Sequence, residues 1–266
     1  APCVRMGAGR QIRKSGNGWF TEGFGGDRGT VARGLFSGAR QRDGSGADQH
    51  GRRPIGRVMR SGAEQEIRDA VVAKIRACLP DARVIHELNA FGSGSNRIDV
   101  AAVTRDKLFA FEIKSEKDTL KRWPDQKRVF EACSHFLILA AHRCHFELTT
   151  EYSEPAFKWP HDVWGRGVWM YPDPTCSAPY PTSEYAWELP RYNGMEPHAY
   201  RFLETLWAAE LKAIASRLNI DAGKRPTRHD LIVSITRLAS GREIAEGVCE
   251  MLRRRSFAEA DKEMAA

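Results

Sequence analysis

Residues 97–114 read RIDVAAVTRDKLFAFEIK, and this stretch decides the fold. Two apolar runs flank Arg105-Asp106-Lys107, a polar break short enough for a hairpin turn. With Arg105 and Asp106 as the two turn residues, Thr104 pairs with Lys107, and stepping outward brings Asp99 opposite Glu112. Directly opposed residues share a sheet face, with Cβ atoms about 4.5–5.5 Å apart. Lys114 lies two positions beyond Glu112 and so points to that same face. A one-residue bulge would shift the pairing but leave the Glu112–Lys114 relation intact. Phe109, Phe111 and Ile113 alternate with the charged residues, which makes the other face of this strand a buried one.

Outward from the hairpin the patterning continues. Ile67, Ala70, Val71, Ile75, Cys78 and Leu79 recur at helical spacing and predict an amphipathic helix over 62–79, stopped by Pro80-Asp81. Residues 83–89 read as a strand, followed by a Phe91-Gly-Ser-Gly-Ser-Asn96 loop and strands over 98–104 and 108–114. A second helix starts near Trp123-Pro124, where proline is tolerated in the first turn, and runs to Ser134. Phe136–Ala141, FLILAA, is a continuous apolar run, the pattern of a strand buried on both faces. The order over 61–150 is helix, three strands, helix, strand, an α/β arrangement.

Residues 151–195 hold four of the seven tryptophans and seven of the 13 prolines. They predict an aromatic, loop-rich extension with a hairpin at Gly165-Arg-Gly, its rings serving as core rather than as a base-stacking platform. Residues 196–258 predict three helices forming a small module. Thr227 with Asp230, and Ser240 with Glu243, carry the spacing of helix N-caps.

Charge is unevenly distributed. Residues 1–60 carry 12 Lys and Arg against 4 Asp and Glu, and 14 of the 23 glycines, without apolar periodicity. Such a segment cannot offset its ordering entropy by burial and is expected to be a disordered basic tail. The net charge of +7 therefore belongs to the tail and does not by itself indicate a nucleic-acid partner. The chain begins at Ala1 and Met59 stands just before the first patterned helix, so a natural tail and upstream reading frame are both open. No run reaches the ~18 apolar residues of a membrane span, so no membrane association is expected. Six cysteines, several inside apolar stretches, predict reduced thiols in a cytoplasm rather than a disulfide framework. Cys133, His135, His142, Cys144 and His145 match no usual zinc spacing.

Two carboxylates at hairpin separation repel unless a cation bridges them, and hard oxygen ligands suit magnesium or manganese. Asp99 and Glu112 are the candidate metal ligands, with the backbone carbonyl of Ile113 a plausible further one. Lys114 beside them can orient a water or stabilise charge building on phosphorus. The set is chemically complete for phosphodiester hydrolysis.

Helix, strand, Arg97-Ile-Asp99-Val, turn, Phe111-Glu112-Ile-Lys114, helix and strand resembles the PD-(D/E)xK nuclease superfamily. Glu112-Ile-Lys114-Ser-Glu-Lys-Asp118-Thr-Leu, with Gln126 downstream, is similar to a bacterial branch containing MmcB-like DNA repair proteins. The resemblance covers about residues 62–142 and implies a restriction-endonuclease-like core with Asp99, Glu112 and Lys114 as its catalytic triplet. It further implies Glu66 as the first-helix acid near the metal, and auxiliary roles for Glu87, Asp118 and Gln126. Gln126 and Phe130 are similar to the Gln-x-x-x-Tyr element of RecB-type nucleases, with Phe for Tyr and Lys127 at a usually apolar place. Residues 211–232 weakly resemble a SAP-like DNA-binding element, which makes Lys224, Arg225 and Arg228 candidate phosphate contacts.

The sequence thus points to a magnesium-dependent deoxyribonuclease acting on DNA, in repair or mobile-element biology; the alternative is a nuclease-fold DNA-binding protein with little catalysis. A homodimer stays open. The first expected outcome concerns the tail: removing residues 1–58 leaves the thermal transition of the chain unchanged. A loss of several degrees on truncation would show that the tail belongs to the fold.

Overall fold

The computed structural model describes residues 62–90, 96–151, 154–160, 167–176, 185–190 and 196–264. The basic tail, the Gly-Ser loop at 91–95 and the turn expected at Gly165-Arg166 lie outside the described residues. The chain from Arg57 onward forms one compact unit. Its core is an α/β arrangement around a five-stranded mixed sheet in the order β1-β2-β3-β4-β7. The strands are β1 (Arg83–Asn89), β2 (Arg97–Val103), β3 (Leu108–Lys114), β4 (Phe136–His142) and β7 (Val168–Tyr171). A separate two-stranded ribbon pairs β5 (Glu147–Glu151) with β6 (Glu154–Lys158).

Strands β1, β2 and β3 run antiparallel in sequence order, as short connections allow. The hairpin keeps the register expected from its turn: Val103 faces Leu108 and Val100 faces Phe111. Parallel pairing of β3 with β4 requires a crossover, supplied by α2 (Trp123–Cys133). On one face, α1 (Gly62–Cys78) sets Ile67, Val71 and Ile75 against Val100, Ala102, Phe109, Phe111 and Ile113. On the other, Phe130 and Cys133 of α2 join Ala101, Val103, Leu108 and Ala110.

Two parts of the sequence reading need correction. Val168–Tyr171 is not half of an isolated hairpin; it adds to the main sheet, parallel to β4, with Leu139 facing Val168. Trp169 and Trp187 stack at 5.0 Å within the core, so these rings do pack inside. The C-terminal helices number four, α3 (Ala199–Leu203), α4 (Ala208–Arg217), α5 (Arg228–Leu238) and α6 (Gly241–Arg254), and they are not a detachable module. Phe202, Leu211, Ile214, Leu231, Ile232, Ile235, Val248 and Leu252 share one apolar cluster with Ile85, Leu88, Ile98 and Val103 of the sheet. Both expected caps are present: Thr227 accepts from the Asp230 amide and Ser240 from the Glu243 amide.

A single side chain ties the chain's end to the sheet. Arg83 is buried on β1 and donates to the carbonyls of Leu252, Arg253 and Arg255 at 2.6–2.9 Å, and to that of Asp261. Carbonyls in the last turn of α6 have no helical partner, and the guanidinium supplies one. Residues 259–261 then run along β1: the His86 amide donates to Glu259, the Asp261 amide to Val84, and Ile85 bridges Ala260. Thus the edge of β1 is covered rather than left open to another strand. Among the described residues, no helix is long and apolar enough to cross a membrane.

Arg83→Ala is expected to cost about 3 kcal/mol, because several buried carbonyls lose a charged donor at once. Removing residues 196–266 is expected to abolish cooperative melting, since one face of the sheet loses its cover. A truncated chain that still melted cooperatively would show that the helices are dispensable.

Candidate active site

The charged row lies at one end of three neighbouring strands. The β2–β3 ladder ends at the Val100–Phe111 pair, one step before Asp99 and Glu112. The β1–β2 ladder pairs His86 with Val100 and Leu88 with Ile98 and skips Glu87 and Asp99 between them. Asp99 is held by β3 itself, its Oδ2 accepting from the Ile113 amide at 2.8 Å. The Ile113 side chain packs on the α1 face, opposite the carboxylates, as the alternation requires.

Glu112 and Lys114 are buried, on a strand whose seven residues are all buried. Lys114 Nζ donates to Glu112 Oε1 at 2.6 Å and to Gln126 Oε1 at 3.0 Å. Gln126 Nε2 donates in turn to the same Glu112 oxygen at 2.7 Å. These three side chains form a closed ring of hydrogen bonds spanning β3 and α2, so Gln126 belongs to the cluster itself. Glu112 Oε2 is buried with no hydrogen-bond partner. An orphaned, buried carboxylate oxygen beside a second carboxylate is a place where a cation would be stabilised.

Burial and the neighbouring Glu112 carboxylate push Asp99 well above the usual carboxylate range, against the pull of the Ile113 amide, Arg68 and Lys114. Burial also raises Glu112, with Lys114 drawing it back. Asp99 keeps 22% of its side-chain surface open, so an ion has a way in. With two protein carboxylates available, a magnesium ion would keep several of its waters.

The remaining candidates take other places. Glu66 accepts a hydrogen bond from the Tyr171 hydroxyl, lining a cleft with Glu116, His142 and Arg143 at the β4–β7 end. Glu87 adopts a positive φ of 56° and pairs with Arg68 at 3.2 Å. Asp118 closes the turn after β3, its Oδ2 accepting from the Ser115 amide and hydroxyl at 2.8 and 2.6 Å. Arg228 donates to the carbonyls of Glu204 and Leu206, which occupies it within the fold rather than at a phosphate. Lys224 and Arg225 are exposed just before α5. The sequence reading missed Arg68, a buried guanidinium that hydrogen-bonds the Asp99 carbonyl. Its signal was its phase: position 68 precedes Val71 and Ile75 by three and seven residues, inside the apolar stripe of α1.

Both raised carboxyls fix a sign for the pH response. The native pair binds a proton more tightly than the unfolded chain, so its contribution is present in acid and lost as pH rises through the raised native value. Without metal, Asp99→Asn is therefore expected to raise Tm at neutral pH and to flatten the pH dependence. An unchanged or lower Tm at pH 7.5, measured in chelator, would contradict the strained-pair description.

Residues 59–156 are similar to the family described as Bacteriophage P4 protein cII. That span includes α1, the first four strands, α2 and every member of the cluster. No curated protein and no solved structure matches the chain.

Proposed function

We propose that this chain is a metal-dependent nuclease of the PD-(D/E)xK type that hydrolyses DNA phosphodiester bonds through Asp99, Glu112 and Lys114. One observation carries the reading: Glu112, Lys114 and Gln126 close a buried ring beside Asp99 and leave one Glu112 oxygen without a partner. The order helix, three antiparallel strands, crossover helix and parallel strand supports a restriction-endonuclease-like core. Similarity to a bacteriophage protein family favours mobile-element biology over housekeeping repair. A cytoplasmic location fits such a substrate.

Asp99 and Glu112 fit magnesium or manganese, with the Ile113 carbonyl as a further oxygen donor. When bound, such an ion polarises a phosphoryl oxygen and makes a bound water more acidic. Glu112 would present its free Oε2 on the metal side, while its Oε1 stays tied to Lys114 and Gln126. A lysine ammonium has three protons to donate, and two of Lys114's are engaged by Glu112 and Gln126. The third can meet the attacking water or a phosphate oxygen. Gln126 fixes both partners, so the ammonium is held in place before charge builds on phosphorus. Water adds across the P–O bond, its oxygen bonding phosphorus and a proton passing to the leaving oxygen.

Cleavage of single-stranded, duplex, flapped and junction DNA in magnesium tests the reading. Glu112→Gln and Lys114→Ala should each lower the rate by roughly 10²-fold or more. Undiminished activity in both purified variants would remove the assignment. Magnesium and manganese should raise the Tm of the natural chain but not of Asp99→Asn, and calcium should support DNA binding with weak or no cleavage. Equal shifts in both proteins, with DNA bound but uncut, would favour the nuclease-fold binding protein instead.

A further inference from the structure

Arg68 has no surface left, although it lies on a helix whose other charged residues reach solvent. Burying a guanidinium is costly unless its donors are satisfied. Four acceptors from three elements meet it. Nη1 donates to the Asp99 carbonyl, and Nη2 to Glu64 Oε1 at 2.8 Å and Glu87 Oε1 at 3.2 Å. Nη2 also lies 3.7 Å from Asp99 Oδ1. Even so, Nε is buried with no hydrogen-bond partner.

An aliphatic side chain at this position would complete the Val71–Ile75 stripe without that cost. Glu87 leaves normal strand geometry, at φ 56°, at the very residue whose carboxylate reaches Arg68. Strained backbone and a half-satisfied buried cation, both opposite Asp99, point to a role beyond packing. Asp99 is thus approached from two sides: its Oδ2 accepts from the Ile113 amide, and the guanidinium holds its carbonyl and stands 3.7 Å from Oδ1.

We propose that Arg68 is a positioning residue of the site, clamping the Asp99 backbone and carboxylate in the orientation a divalent ion requires, with Glu64 and Glu87 steadying its guanidinium. This rests on the metal-dependent reading of Asp99 and Glu112. The planar fork of arginine reaches the carbonyl and the carboxylates at once, which a lysine ammonium cannot do.

Arg68→Lys in the full chain keeps the charge and loses the fork, so it isolates geometry. Manganese binding, followed by the electron paramagnetic resonance of the free ion, should weaken about tenfold or more, the usual effect of losing a ligand-orienting group. Cleavage should slow by a similar factor, while the Kd for DNA measured in chelator, without any divalent ion, stays at the natural value. A variant with a lower Tm that binds manganese and cleaves like the natural chain would show that Arg68 only holds α1 to the sheet.

Glu64→Gln covers the case in which Arg68→Lys does not fold, because the amide still accepts the hydrogen bond. Loss of one balancing charge should weaken manganese binding about threefold, as expected for one unit charge removed at a distance, with Tm unchanged. Unchanged manganese affinity in Glu64→Gln would overturn the proposal. If the natural chain binds no manganese, the metal reading falls and this one with it. If the natural chain binds manganese and Asp99→Asn does not, unchanged affinity in Arg68→Lys and Glu64→Gln sinks the positioning role alone.

Discussion

Strand β3 is buried along its whole length, yet it carries an acid and a base. An isolated ion inside a protein costs several kcal/mol after relaxation, so Glu112 and Lys114 must neutralise each other where they stand. Their 2.6 Å contact does that, and Gln126 adds one bond to each, accepting from Lys114 and donating to Glu112 Oε1. Because Gln126 sits on α2, the polar ring also sets the rotation of that helix. With Gln126 turned inward, Phe130 and Cys133 follow on the same stripe and fill the core beneath. Removing one member would leave the others as unpaired buried groups, which makes the ring a structural constraint as well as a chemical one.

How much of this was legible depended on sequence distance. The β2–β3 register could be read because a two-residue turn and strict alternation determine it locally, and the observed pairs follow it. Likewise α1, α2 and β4 announce themselves through periodicity. Parallel pairing leaves no such local mark. Val168-Trp-Met-Tyr is short and continuously apolar, and nothing in its neighbourhood shows that its partner is β4, some thirty residues earlier. A local hairpin was the nearest reading that its turn residues allowed.

The C-terminal helices illustrate a different limit. Their caps and amphipathic faces are written in the sequence, but an apolar face does not name what it covers. Here it covers β1 to β3, and the link is made by Arg83, about 170 residues from the carbonyls it binds. An arginine on a strand reads as a surface residue until its partners are known. The same holds for Arg228, whose basic charge suggested a phosphate but whose donors cap the end of α3. Composition gives the charge of a side chain; only the fold decides whether that charge is already spent.

Several departures from ordinary stability converge on one row of the sheet. Glu87 takes a left-handed backbone conformation, Arg68 keeps a donor unsatisfied, Asp99 resists ionisation, and Glu112 holds an orphaned oxygen. These positions belong to β1, α1, β2 and β3 and are close enough to touch in sequence along that row. Elsewhere Asp118 closes its turn, Arg83 satisfies α6, and Asp230 and Glu243 cap their helices, while Trp123 Nε1, Thr236 Oγ1 and Arg253 Nε are scattered single buried atoms without a hydrogen-bond partner. What sets this row apart is that its four members adjoin one another. Local rules fail together where something other than stability has set the residues, and a bound cation would relieve the acidic members of that row at once.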